Sequence, residues 1–153
     1  MKREMTNQEY LNQAFTADDD INSAQLELES LLVKLTDCTA HIKEAKESGI
    51  NARGGFEALY VSCEKQMREC NELVDYYIDI KENIRKSIYE LPAGKERSIL
   101  KYRYINKMTL EKICDTLGYA NYQSVQRAHD KAVKKIKQKW PDPMQRKSSS
   151  VFG

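Results

Sequence analysis

The sequence predicts an all-α protein: a long antiparallel coiled-coil helical hairpin followed by a three-helix helix-turn-helix domain. Three observations carry that expectation. Apolar residues recur at three- and four-residue steps over most of the chain. Gly and Pro are scarce, 6 and 3 of 153 residues, too few for a turn-rich β-sandwich. Charge is split along the chain. Residues 1–90 hold 11 basic and 18 acidic side chains, net −7, and residues 91–153 hold 14 and 5, net +9, so the overall +2 hides two unlike halves.

The first hairpin helix is expected from about Ile21 to Ala45. Its apolar residues are Ile21, Ala24, Leu28, Leu31, Leu35, Cys38, Ile42 and Ala45, which form a heptad seam. Asp18, Asp19 and Asp20 stand just before it. Acidic residues favour a helix start through the macrodipole, so the helix is expected to begin there. This reading of the acidic run is preferred to a cation site. Thr6 to Phe15 then reads as a separate short helix anchored by Tyr10, Leu11 and Phe15. Gly49, Gly54 and Gly55 mark a loop, with Gly49 as a helix C-cap. The second long helix is expected from about Phe56 to Glu90. Its stripe runs Phe56, Leu59, Tyr60, Cys63, Met67, Cys70, Leu73, Val74, Tyr77, Ile80, Ile84 and Ile88. That stripe is wider than one partner helix covers, so the arm is expected to pair with a second copy unless other parts of the chain cover it.

Leu91-Pro92 ends the second helix, because the residue before proline is pushed out of the α region. Three shorter helices follow, at about Gly94–Ile105, Leu110–Leu117 and Tyr122–Lys139. Thr109 and Asn121 are the expected N-caps and Gly118 the expected C-cap. The domains are therefore 1–90, an oligomerisation or partner arm; 91–139, a helix-turn-helix head; and 140–153, an expected disordered tail rich in Pro and Ser.

Several functional classes fall away. No apolar run approaches the roughly 18 residues that span a bilayer, and Met1 to Phe15 lacks the apolar stretch of a signal peptide. A cytoplasmic location with no membrane partner is expected. Cys38, Cys63, Cys70 and Cys114 form no CxxC pair, and His41 and His129 lie far apart, so no metal site is expected and the thiols should be free. No phosphate-cradling glycine loop and no Ser/His/Asp arrangement is present. The chain is not expected to be an enzyme or to need a cofactor.

The stretch from Thr109 to Ile136 carries the function. A short amphipathic helix turns Leu110, Ile113, Cys114 and Leu117 inward, a glycine redirects the chain, and the last helix buries Val125, Ala128, Ala132, Val133 and Ile136. The opposite face of that helix is polar at its N-terminal end and basic at its C-terminal end. Base edges suit the first and phosphates the second. Arg127 can pair with guanine, and Gln123 or Gln126 with adenine. Lys131, Lys134, Lys135 and Lys137 would neutralise phosphates, with Lys101, Arg103 and Lys107 as second-rank candidates. His129 reads as a packed histidine rather than a pH switch.

A family resemblance attaches to these residues. Leu91-Pro92, then Glu96-Arg97 and the run from Lys101 to Ile113 (KYRYINKMTLEKI), then Leu117-Gly118 and the segment from Val125 to Ile136, resemble DNA-binding region 4 of bacterial sigma factors across residues 91 to 138. The layout of a helical hairpin before this domain is similar to small sigma-like regulators of phages and prophages, including the ArpU-type late transcription regulators. The resemblance implies that Tyr122, Gln123, Gln126 and Arg127 read the −35 element of a promoter, with double-stranded DNA as the partner. Host RNA polymerase is a further expected partner, through the acidic arm. Between Gly118 and Val125 the chain has one residue more than the sigma pattern, within Tyr119 to Tyr122. Nothing in it resembles sigma region 2. Two other readings compete: a DNA-packaging adaptor similar to a phage small terminase subunit, and a protein-interaction module or inhibitor that acts through the acidic hairpin.

Overall fold

The computed structural model describes residues 4–47 and 53–141. They form five α-helices and no strand: α1 (Asn7–Glu47), α2 (Arg53–Tyr89), α3 (Lys95–Leu100), α4 (Leu110–Leu117) and α5 (Tyr122–Lys134). A π-helical turn, Lys101–Ile105, continues α3. No described helix is long and apolar enough to cross a membrane. The expected Gly49 cap lies outside the described residues, as does the tail beyond Pro141.

α1 and α2 pack antiparallel along the arm. They have 41 and 37 residues, so each is on the order of 55–60 Å long at 1.5 Å per residue. The expected seam lies between them. Ala24, Leu31 and Cys38 are buried from α1, and Cys63 and Cys70 from α2, with Leu28, Leu35 and Met67 packed beside them. All four cysteines are buried free thiols that act as small hydrophobes.

The start of α1 differs from expectation. Asn7 to Glu47 is one helix, and Asp18 to Asp20 lie inside it. No Gly or Pro interrupts this stretch. Its apolar rhythm runs on without a break through the buried Tyr10, Leu11, Ala14, Ala17 and Ala24. Thr6 supplies the N-terminal cap instead, its hydroxyl accepting from the Glu9 amide at 3.1 Å. Asp18 is held in mid-helix by ion pairs to Lys81 of α2 and, at 3.4 Å, to Lys107 of the head. Burial would raise its pKa, but these two ammonium groups outweigh burial and hold the carboxyl below its ordinary value.

α2 starts at Arg53, three residues before the expected Phe56. Its stripe is also narrower than expected, since Leu59 and Leu73 are exposed. The other end of the stripe is covered from within the chain. Ile80, Ile84 and Ile88 pack with Tyr10, Leu11 and Ala14 of α1, with Leu100 and Tyr104, and with Ala132, Val133 and Ile136. This cluster joins the base of the arm to the head. Ile99, Ile113, Cys114 and Val125 form the head's own smaller core.

The helix-turn-helix follows its local grammar. The Thr109 hydroxyl accepts from the Lys112 amide at 3.2 Å, and Asn121 Oδ1 accepts from the Ser124 amide at 2.8 Å. Gly118 closes α4 in the left-handed conformation at φ 74°. A Cβ built there meets nothing within 4 Å, so substitution carries only a backbone cost. Gly118→Ala is expected to lose about 1–2 kcal/mol in a urea titration, with Gly118→Asn milder because asparagine tolerates this region. Equal stability of wild type and the alanine variant would overturn that account.

α5 ends at Lys134, not near Lys139. The chain then leaves the helix and straps across α1 and α2. Asn7 Nδ2 donates to the carbonyls of Val133 and Ile136, and Ser87 Oγ donates to the Lys137 carbonyl. The Tyr10 hydroxyl donates to the Lys139 carbonyl and accepts from the Lys139 amide. Trp140 packs edge-on against Tyr10, with ring centroids 5.3 Å apart. Trp140 was expected in the tail, and it belongs to this strap. Long-range hydrogen bonds satisfy the backbone groups that further helix would have used.

Candidate nucleic-acid interface

α5 is positioned by what it buries. Val125, Ala132 and Val133 face inward, with Ala128 half-buried. His129 is also buried. Its Nε2 is 2.8 Å from the Tyr104 hydroxyl and its Nδ1 is 3.0 Å from Asp130 Oδ1. The Tyr104 hydroxyl accepts from Gln8 Nε2 of α1 at 2.8 Å. This chain of polar groups fixes α5 relative to the arm. His129 is a packed side chain, in line with its expected place. The role of Gln8 carried no signal in the sequence, because the contact spans 96 residues.

The outward face is continuous. Gln123, Gln126, Arg127, Asp130, Lys131 and Lys134 are all exposed and recur at one-, three- and four-residue steps, which places them on one side of a helix. Tyr122 is exposed at the N-terminal edge of that face. The four base-contact candidates therefore sit together at the first two turns of α5. Among the described residues Arg127 has no ion-pair partner. Asp130 is the one carboxylate on this face, and it accepts from His129.

The phosphate candidates divide into groups. Lys131 and Lys134 continue the exposed face of α5. Lys135, the C-cap, forms a 2.7 Å ion pair with Glu96 of α3, and Lys131 lies 3.9 Å from the same carboxylate. Lys137 is exposed on the strap, beyond the helix. Lys101 lies on the π-helical turn, with its ammonium 5.5 Å from the Tyr89 ring centroid. Arg103 and Lys107 are committed within the molecule. Arg103 donates to the Met108 carbonyl at 3.0 Å and stands over the Phe15 ring. Lys107 donates to the carbonyls of Ala14 and Tyr104 and pairs with Asp18. Burial pulls the Lys107 ammonium below its ordinary pKa despite the attraction of Asp18. Its backbone is left-handed, at φ 59°, and such a conformation in a lysine costs on the order of 1–2 kcal/mol. Lys107 is a tie between head and arm.

Glu96 carries no signal in the sequence as a neighbour of the basic end of α5, because the ion pair spans 39 positions. It is half-buried on α3 and neutralises part of the basic end of α5. Glu96→Gln is expected to raise duplex affinity about two- to fivefold on any sequence, the equivalent of the 0.5–1 kcal/mol that exposed pairs reach. Titration at fixed salt measures it, and an unchanged or lowered affinity would count against a phosphate role for Lys131 and Lys135.

Among the described residues no group of three His, Cys, Asp or Glu side chains is placed to hold a metal ion. The cavity of about 380 Å³ between arm and head is lined by Asp18, Lys81, Tyr104 and Lys107, the same groups that tie the two together. The exposed face of α5 gathers Gln123, Gln126, Arg127, Lys131 and Lys134 on one side of the helix.

No curated protein and no solved structure matches the chain. Residues 40–137, more than half of the sequence and covering the end of α1, the whole of α2, the head and the start of the strap, match the family model described as Protein of unknown function (DUF1492), and the chain belongs to that family.

Proposed function

We propose that the chain is a sequence-specific DNA-binding transcription regulator of phage type, similar to the ArpU-type regulators, that reads duplex DNA through α5. The observation that carries this reading is the exposed face of α5. Polar groups able to read base edges lie at its N-terminal end and lysines at its C-terminal end, on a helix held by a capped glycine turn. A recognition helix enters the major groove in that order. The net charge of +9 over residues 91–153 supplies the field that draws a polyanion.

The arm provides pairing. Leu26, Leu32 and Val33 on α1 and Leu59, Val61, Leu73 and Ile78 on α2 are exposed apolar side chains among polar and charged neighbours. Their burial between two copies would present two reading heads to a pseudo-palindromic site. The acidic outer surface of the arm is then available to host RNA polymerase in the bacterial cytoplasm. Selection of bound duplexes from a random library, with mass measured on the same sample, tests the reading. A consensus with two half-sites and a dimer mass is the expected result. No enrichment at about 0.1 M salt would overturn it, and a ring of roughly eight or more subunits would assign the chain to DNA packaging instead.

A further inference from the structure

A second basic cluster lies at the base of the arm, outside the reading face. Tyr89, the last residue of α2, is 40% exposed. The Arg85 and Arg97 guanidinium carbons stand 5.3 Å and 5.7 Å from its ring centroid, and the Lys101 ammonium 5.5 Å. Arg85 comes from α2, Arg97 from α3 and Lys101 from the π-helical turn. Three cations on one exposed ring repel each other, and each cation–π contact returns only about 0.5–1 kcal/mol at such a site.

The nearest carboxylates in sequence are turned elsewhere. Glu90 pairs with Lys139 at 2.7 Å and Glu96 with Lys135 at 2.7 Å. Among the described residues the carboxylate paired with this cluster is Glu82, 3.9 Å from Arg85 and 49% exposed at its side chain. The cluster is thus a concentration of positive charge left largely uncompensated. It also continues toward the reading helix. Arg97 and Lys101 share one face by their four-residue spacing. Lys95, on the same short helix, holds its ammonium 5.0 Å from the ring centroid of Tyr119, in the turn that leads to the Asn121 cap of α5.

We propose that Arg85, Arg97 and Lys101, gathered on Tyr89, form a phosphate clamp for the backbone of the same duplex that α5 reads. The proposal rests on the DNA-binding reading above and extends it to the base of the arm. A phosphate relieves the repulsion among the three cations, and the two guanidinium forks match its oxygens. Phosphate contacts of this kind set register and orientation and carry no sequence information. The clamp therefore fixes the angle at which the arm leaves the DNA.

The test uses the full chain and fluorescence anisotropy on a selected duplex and a random duplex, between 50 and 200 mM salt. The double variant Arg97→Ala with Lys101→Ala is compared with wild type, and the exposed Arg85→Ala serves as a single variant that leaves the head untouched. The expected result is a loss of about 0.9 in the salt slope per phosphate contact removed, with affinity falling roughly tenfold for the double variant on both duplexes alike. Preference for the selected duplex stays unchanged. Wild-type slopes and affinities in both variants, with native helix content by circular dichroism, would overturn the clamp while leaving the DNA-binding reading intact. No duplex binding by wild type would overturn that reading and the clamp with it. If a polyglutamate probe binds wild type and not the double variant, while duplex binding is equal in the two, the cluster serves an acidic protein partner and the clamp is wrong.

Discussion

Arg127→Ala is expected to cut the preference for a selected duplex over a random one by roughly 5- to 150-fold, the equivalent of the 1–3 kcal/mol that a bidentate guanine contact contributes. Affinity for random duplex should fall far less. The argument starts from position. Arg127 sits one turn into α5, exposed, on the same face as Gln123, Gln126 and Lys134. Among the described residues it has no ion-pair partner, so its five donors are free to meet base edges. Fold stability should change by no more than about 0.5 kcal/mol, as for other exposed positions. Arg127→Lys separates charge from geometry: it keeps the phosphate attraction and loses the planar fork, so preference should drop almost as far as in alanine. Lys134→Ala supplies the contrast, with equal losses on both duplexes and a salt slope lower by about 0.9. Equal losses on both duplexes for Arg127→Ala itself would sink the base-reading role.

What the sequence made legible divides along the range of the interactions. Thr109, Gly118 and Asn121 act within four residues of themselves, so their caps followed from residue type alone. The seam through Leu31, Cys38, Cys63 and Cys70 followed from periodicity, since a heptad needs only a helical partner. The acidic run at Asp18 misled because its local chemistry fits a helix start equally well. It is kept inside α1 by Lys81 and Lys107, which are 63 and 89 positions away in the chain. The end of α5 was hidden for the same reason. Lys135 to Lys139 reads as more helix until Asn7, Tyr10 and Ser87 take its backbone groups. In the site, spacing brought Gln123, Gln126 and Arg127 to one face. It offered Lys107 only as a phosphate candidate and gave no sign of its tie to the Ala14 carbonyl, a contact that spans 93 positions. The cluster on Tyr89 was half legible, as the four-residue step from Arg97 to Lys101. Arg85 belongs to the acidic half, where a basic residue reads as ordinary surface.

The division of charge at Leu91 implies two independent units, and the contacts of Tyr10 predict the opposite. Tyr10 is fully buried near the start of α1, yet its hydroxyl meets Ser87 Oγ of α2 at 3.0 Å and both the amide and carbonyl of Lys139 on the strap. Its ring packs on Trp140, and its neighbours in the core come from the arm and the head alike. Tyr10→Ala removes a buried aromatic from that junction, and such truncations cost about 3–5 kcal/mol, a large part of the 5–15 kcal/mol that typical domains have. The melting temperature should fall by roughly 6–20 °C for a chain of this size. Tyr10→Phe keeps the ring and orphans the Lys139 amide, so it should lose about 1–3 kcal/mol. Trp140 is the single tryptophan, so its fluorescence follows the strap and head while far-ultraviolet circular dichroism follows mainly the long arm. In wild type and in Tyr10→Phe the two signals should melt together, and both should move by the same amount in the variant. A fluorescence transition that shifts alone, with the dichroism transition left in place, would show that the arm stands without the head and that Tyr10 stabilises only the strap.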